Sequence, residues 1–238
     1  MVYINPNKIF EGEEKIAVKI QIDNSFRLGW KKEDILLVTN FPYKYRCIKA
    51  FVMGDDAYCS YFPKCSKWGT IIKLFEKHLI SDKTLYWYHD FDAYQMVAID
   101  ESEIPETDMS LCDYGVRYYL WNGGSIFFRK NAEDIFVRTK ELMDSYKTRS
   151  DGVECDEVAL FKMTHRHRDI KPRVKKLNIS YNFHSRRILI NHPVAIKPIR
   201  IVHCHFDHSG FFLNGHNKLG VQLAPNRLVK IFNNHGIL

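Results

Sequence analysis

The chain has 238 residues, a formal net charge of +7, and 45% apolar and 14% aromatic residues. Such a length and apolar content provide for an ordered core and exclude a disordered or low-complexity polymer. The positive charge suits an anionic partner such as a nucleotide, a nucleic acid or a membrane surface, and does not choose among them. No signal-like apolar segment follows Met1, and no run of about 18 apolar residues occurs, so no membrane span is expected. The six cysteines (Cys47, Cys59, Cys65, Cys112, Cys155, Cys204) form no C-x-x-C pair. They read as free thiols of a cytoplasmic protein, host cytoplasm if the source is viral.

In chain order, residues 15–22, 35–39 and 48–53 are short runs rich in Ile and Val, bounded by turn residues, and predict strands. Residues 67–79 place Trp68, Ile71, Ile72, Phe75 and Leu79 at helical spacing, with Ser66 as N-cap. An aromatic strand, Leu85-Tyr86-Trp87-Tyr88, then leads through His89 to Asp90-Phe91-Asp92. In an extended segment Asp90 and Asp92 point the same way. Two neighbouring carboxylates repel unless a cation lies between them. Mg²⁺ or Mn²⁺ with oxygen ligands is the usual solution, and such an ion often holds a substrate's phosphates. The order predicts an α/β sheet whose ligands bind beyond the carboxyl ends of the strands. The candidates there are Asp23-Asn24-Ser25, Thr39-Asn40 and Asp90-x-Asp92.

A second half begins near Ile104 and is expected to continue the same domain, giving halves of residues 1–103 and 104–238. Trp121-Asn122-Gly123-Gly124-Ser125 enters a strand at 126–128, where glycines suit close approach of backbone to a ligand. A helix is predicted over 132–146, a break at Ser150-Asp151-Gly152, and a further helix over 157–164 opened by Asp156. Asp156 and Glu157 suit a ligand's hydroxyls or general base chemistry, and a helix N-terminus also explains them. The basic run 165–176 reads as a solvated loop, with strands at 177–182 and 199–203 and an irregular tail.

These motifs, in this order, resemble nucleotide-sugar glycosyltransferases of the GT-A fold. "TLYWYHDFDAYQ" looks like their D-x-D strand, "WNGGSIFFRK" their N-x-G segment beside the donor sugar, and "CDEVALFKM" their acidic helix start. "ISYN" and "IRIVH" resemble the late strands, the second ending in the metal-binding His of the glycogenin-like branch or of a small viral or bacterial relative. The resemblance implies a Rossmann-like mixed sheet flanked by helices and an enzyme that moves a sugar from a UDP- or GDP-linked donor to a glycan, protein or small-molecule acceptor. It implies Mn²⁺ or Mg²⁺ held by Asp90, Asp92 and His203 or His205, with Asp156 and Glu157 catalytic. It further implies Asp23, Asn24, Thr39, Lys67, Asp90, Asn122, Gly123 and Gly124 around the donor. The Gly-x-x-Lys-Pro-Trp element that follows this His in the related branch is missing, and Lys218 stands at a different spacing.

Two other readings use other segments. His203-Cys204-His205-Phe206-Asp207-His208 matches H-x-H-x-D-H, the metal motif of metallo-β-lactamase-fold zinc hydrolases. Only 30 residues follow His208, with His216 and His235 and no Asp, which leaves little to supply further ligands. The basic run and the aromatics allow a nucleic-acid-binding module, without a recognisable aromatic–glycine signature or basic recognition helix.

Overall fold

The computed structural model describes residues 1–12, 14–115, 120–145, 155–184 and 188–204. The first half contains β1 (Val2–Tyr3), α1 (Glu14–Arg27), β2 (Val38–Thr39), β3 (Lys44–Tyr45), β4 (Ile48–Lys49), β5 (Phe51–Val52), α2 (Ser66–Glu76), β6 (Tyr86–His89) and β7 (Ala93–Gln95). The second contains β8 (Met109–Asp113), β9 (Trp121–Phe128), α3 (Glu133–Ser145), α4 (Cys155–Arg166), β10 (Val174–Lys176), β11 (Phe183–His184), α5 (Ile188–Asn191) and β12 (Ile201–His203). This is a mixed α/β architecture, as expected from the sequence. Among the described residues, no helix is long and apolar enough to cross a membrane.

β1, β2 and β5 form a parallel sheet in the order β1-β2-β5. A second sheet runs β10-β8-β9-β6, with β9 antiparallel to both neighbours. A third, β11-β12-β7, joins the end of the chain's described part to the residues after β6. β8 and β9 are buried along their full length, covered on both faces, polar residues such as Ser110, Asp113, Asn122 and Ser125 included. On one side α2, α3 and α4 build the largest core. Phe136 is fully buried there, with ring centroids 5.3 Å from Trp68, 5.8 Å from Phe75 and 5.0 Å from Phe128.

Several sequence expectations are corrected. Residues 15–22 belong to helix α1, not to a strand. Ala17, Gln21 and Asn24 recur on one face beside Val18 and Ile22, a 3.6-residue period that the density of Ile and Val obscured. Residues 48–53 are two strands: β4 pairs with β3, while β5 pairs with β2. Ser66 does not cap α2; it lies in the helix's first turn, and its Oγ accepts the Cys59 N–H at 2.9 Å. α2 ends at Glu76, short of Leu79. β9 already includes Asn122, Gly123 and Gly124, so the glycines lie within a strand.

The basic run is not one solvated loop. It ends α4, makes a 3-10 turn and forms β10, which pairs parallel with β8. Residues 177–182 make no strand; a 3-10 turn over Ile179–Tyr181 precedes β11. The C-terminal tail lies outside the described residues.

Truncating a ring in the helical core removes buried apolar area and leaves a cavity. Phe136→Ala should therefore lower unfolding stability by about 3–5 kcal/mol, read from urea denaturation. A change below about 1 kcal/mol would mean that this core is not packed as described.

Candidate active site

β6 delivers the first carboxylate. Its pairing with β9 runs from Tyr86↔Phe128 to His89↔Ser125, and the Asp90 N–H extends it by donating to the Gly124 carbonyl at 2.9 Å. There the strand stops. The Ala93 N–H donates back to the Asp90 carbonyl at 3.1 Å, closing a tight turn over Asp90 to Ala93. Asp90 and Asp92 thus converge through a turn, not through the alternation of an extended strand. Phe91, at the turn's tip, is buried beside Phe10 and Tyr3. Gln21 of α1 fixes the turn from below, donating to the Phe91 carbonyl at 2.7 Å and the Ala93 carbonyl at 3.1 Å.

β12 brings the imidazole. His203 is in register with Ala93 of β7, and the Cys204 N–H donates to the Asp92 carbonyl at 2.7 Å. His203 Nε2 lies 3.0 Å from Asp92 Oδ1. One ligand atom from each of Asp90, Asp92 and His203 falls within 4.8 Å of the others, so these three could hold one metal ion. His203 is buried, whereas the side chains of Asp90 and Asp92 are 33% and 24% exposed, leaving the oxygens open to solvent. Two carboxylates and one imidazole suit Mn²⁺ well and Mg²⁺ through the oxygens. Gly124 makes room for this group: a β-carbon there would stand 2.1 Å from His203 Cε1 and 3.0 Å from Asp90 Oδ2.

Lys67, from the first turn of α2, is buried beside the cluster. Its Nζ lies 3.0 Å from the Gly123 carbonyl, 3.3 Å from Asp156 Oδ2 and 3.7 Å from Asp90 Oδ2. Burial opposes its charge, but Asp90, Asp156 and Glu157 outweigh that and raise its pKa above the usual lysine value. Asp156 is held from three sides: Oδ2 faces Lys67 and accepts Trp68 Nε1–H at 3.3 Å, and Oδ1 accepts the Glu157 N–H at 3.0 Å. Glu157 Oε1 accepts the Gly123 N–H at 3.3 Å and the Tyr114 hydroxyl. Asn122 is buried in β9; its Oδ1 accepts the Gly124 N–H at 2.9 Å, while its Nδ2 has no hydrogen-bond partner among the described residues.

The structure therefore gathers Lys67, Asp90, Asp92, Asn122, Gly123, Gly124, Asp156, Glu157 and His203. Asp23 and Asn24 are placed otherwise. They sit in α1, where Asp23 pairs with Arg46 Nε at 2.7 Å and accepts from Tyr45, and Asn24 Nδ2 donates to the Gln95 carbonyl at 2.8 Å. Thr39 ends β2 and donates to the Phe41 carbonyl. Next to it Asn40 bonds both the N–H and the carbonyl of Asn5, each at 2.9 Å, and reaches Asp55 at 3.0 Å. Asn5, Asn40 and Asp55 thus mark the carboxyl ends of β1, β2 and β5. Asn5 escaped sequence reading because β1 is only two residues long, and Asp55 because it lies three residues beyond the end of β5.

Gln21, Trp68, Tyr88 and Tyr114 were also missed as functional candidates, being indistinguishable in sequence from core or helix-face residues. His205, with Asp207, His208 and Lys218, lies outside the described residues. In the basic segment, Arg173 is engaged with Asp108 and Asp134, each at 2.6 Å.

No family model matches the chain, and no curated protein matches it in sequence. In shape it is similar to the galactosyltransferase LgtC in complex with donor and acceptor sugar analogs (TM-score 0.62, 11% identity, 100% of this chain and 99% of that one). It is similar also to the glycosyltransferase GlyE of Streptococcus pneumoniae TIGR4 (TM-score 0.58, 13% identity, 100% of this chain and 59% of that one). A third match is a glycosyltransferase involved in the glycosylation of the major capsid of PBCV-1 (TM-score 0.51, 13% identity, 85% of this chain and 91% of that one). The fold of the chain is the GT-A fold that the sequence motifs resemble.

His203 yields a pH prediction. Burial disfavours its charge, but the Asp92 and Asp90 carboxylates prevail and hold its pKa above the ordinary value. A metal bound through this imidazole must displace the proton, so affinity falls as pH drops below the His203 pKa, by about tenfold per unit. Mn²⁺ titrations between about pH 6 and 8 should show that rise with pH. A flat profile would exclude His203 as a ligand.

Proposed function

We propose that the protein is a metal-dependent glycosyltransferase that moves a sugar from a nucleoside-diphosphate-sugar donor to an acceptor hydroxyl. The observation that carries this reading is the meeting of Asp90, Asp92 and His203 beside the Lys67–Asp156 ion pair and the Gly123–Gly124 strand. In a GT-A fold, that meeting point lies where a donor diphosphate and its sugar would adjoin.

Asp90, Asp92 and His203 would hold Mn²⁺ or Mg²⁺. When bound, the ion supplies Lewis-acid and electrostatic stabilisation of the departing diphosphate. Lys67 adds a fixed cation on the same side, preorganised by Asp156 and the Gly123 carbonyl. The absence of side chains at Gly123 and Gly124 lets Lys67, Asp156, Asp90 and His203 close around the strand, and Asn122 Nδ2 keeps a hydrogen-bond donor without a partner among the described residues. Thr39, with Asn40 and Asn5, stands at the strand ends that would receive the nucleoside.

The two acids of α4 divide the remaining work. Asp156 is ion-paired to Lys67, which suits it to anchoring that lysine. Glu157 accepts from an amide and a phenol, both uncharged, and is better placed to take the acceptor's proton. A donor carrying UDP or GDP and an acceptor that is a glycan, a protein or a small molecule fit this arrangement. The protein is expected to act in the cytoplasm. The hydrolase and nucleic-acid readings gain no support: the first needs residues 205–208, outside the described residues, and in the second Arg173 is committed to internal ion pairs.

A thermal-shift panel of nucleotide sugars with and without Mn²⁺ tests the proposal. A ligand at 100 times its Kd adds about 2.7 kcal/mol to native stability, so at least one UDP- or GDP-linked donor should raise Tm only when Mn²⁺ is present. Asp92→Ala should fold, lose that shift and lose turnover. A flat panel, or a fully active Asp92→Ala, would contradict the assignment.

A further inference from the structure

We propose that Tyr88 is a positioning residue for Asp90, its phenol holding the carboxylate toward the ion site and away from Lys67. The proposal rests on the metal-dependent reading above and adds a residue to it. Asp90 has two competing claims on its charge. Lys67 Nζ is ion-paired with Oδ2 at 3.7 Å, while Asp92 and His203 offer the other ligand atoms of the ion site. A carboxylate drawn fully onto a buried ammonium is a weaker metal ligand.

The Tyr88 hydroxyl donates to the other oxygen, Oδ1, and so fixes the plane of the carboxylate. A hydrogen bond to an ionised acceptor is about twice as strong as one between neutral groups. The phenol cannot easily leave. Tyr88 is 5% exposed, stands opposite Ile126 in the β6–β9 ladder, and its ring belongs to the same core as Trp68 and Phe128. That ring also faces Lys67, whose Nζ is 5.6 Å from its centroid. The same side chain thus buttresses both charges of the competing pair. Strand periodicity explains why it is there: Tyr88 and Asp90 are two residues apart, so the phenol and the carboxylate leave the chain on one side.

The test is Tyr88→Phe, which removes one oxygen and keeps the ring. Mn²⁺ binding is followed by the electron paramagnetic resonance signal of the free ion, alone and with UDP or GDP. Loss of an outer-shell partner typically weakens metal affinity by about 10–100-fold, and the variant should show a loss in that range with unchanged circular dichroism. Excess Mn²⁺ should restore nucleotide binding, a rescue that a merely structural role would not allow. Equal Mn²⁺ affinity in variant and wild type would overturn the role of Tyr88 and leave the metal site standing. A wild-type protein that binds no Mn²⁺ with either nucleotide would instead overturn the metal-dependent reading itself.

Discussion

A buried ammonium ion must be paired, and in this protein the pairing of Lys67 ties four elements together. The lysine leaves α2, its hydrogen bond goes to Gly123 of β9, its ion pair to Asp156 of α4, and its third neighbour is Asp90 at the end of β6. Removing any one partner would leave a desolvated charge, which is far costlier than an unformed surface pair. The arrangement therefore fixes the distances among the glycine strand, the acidic helix and the aspartate turn before any ligand arrives. Preorganisation of this kind is what electrostatic catalysis requires.

Around that cation the structure keeps an excess of negative charge. Asp90, Asp156 and Glu157 lie around one lysine, while Asp92 and Asp90 act on the His203 imidazole. The imidazole faces the same carboxylates that would bind a metal, so a proton and a divalent cation would compete for one position. By contrast His89, next to Asp90 in sequence, is kept neutral by burial, with its pKa lowered to about 3, and its ring stacks on Trp87. Neighbouring histidines of one small region thus shift oppositely, because burial and the N-terminal ammonium prevail at His89 whereas the carboxylates prevail at His203.

Much of the site was legible in the sequence, and the reasons are chemical. Asp90, Asp92, Asn122, Gly123, Gly124, Asp156, Glu157 and His203 carry polar or conformational signals that stand out beside apolar runs, and their order resembles one fold. The elements that position them were less legible. Helix α1 is rich in Ile and Val, whose strand preference masked a helical period, so Asp23 and Asn24 were expected at a strand end when they pack within the helix. A strand of two residues such as β1 leaves no periodicity to detect; its existence is set by β2, distant in sequence. The turn that joins Asp90 to Asp92 depends on Gln21, some 70 residues earlier in the chain, a contact that no local pattern announces.

The central claim is that Asp90, Asp92 and His203 form one metal centre for a donor diphosphate. Its most direct test is the anomalous diffraction of a crystal grown with Mn²⁺ and the nucleoside diphosphate that stabilises the protein. A single strong manganese peak among these three side chains, beside the bound nucleotide, is expected. Nucleotide bound with no peak there, or a peak held by other residues, would contradict the claim.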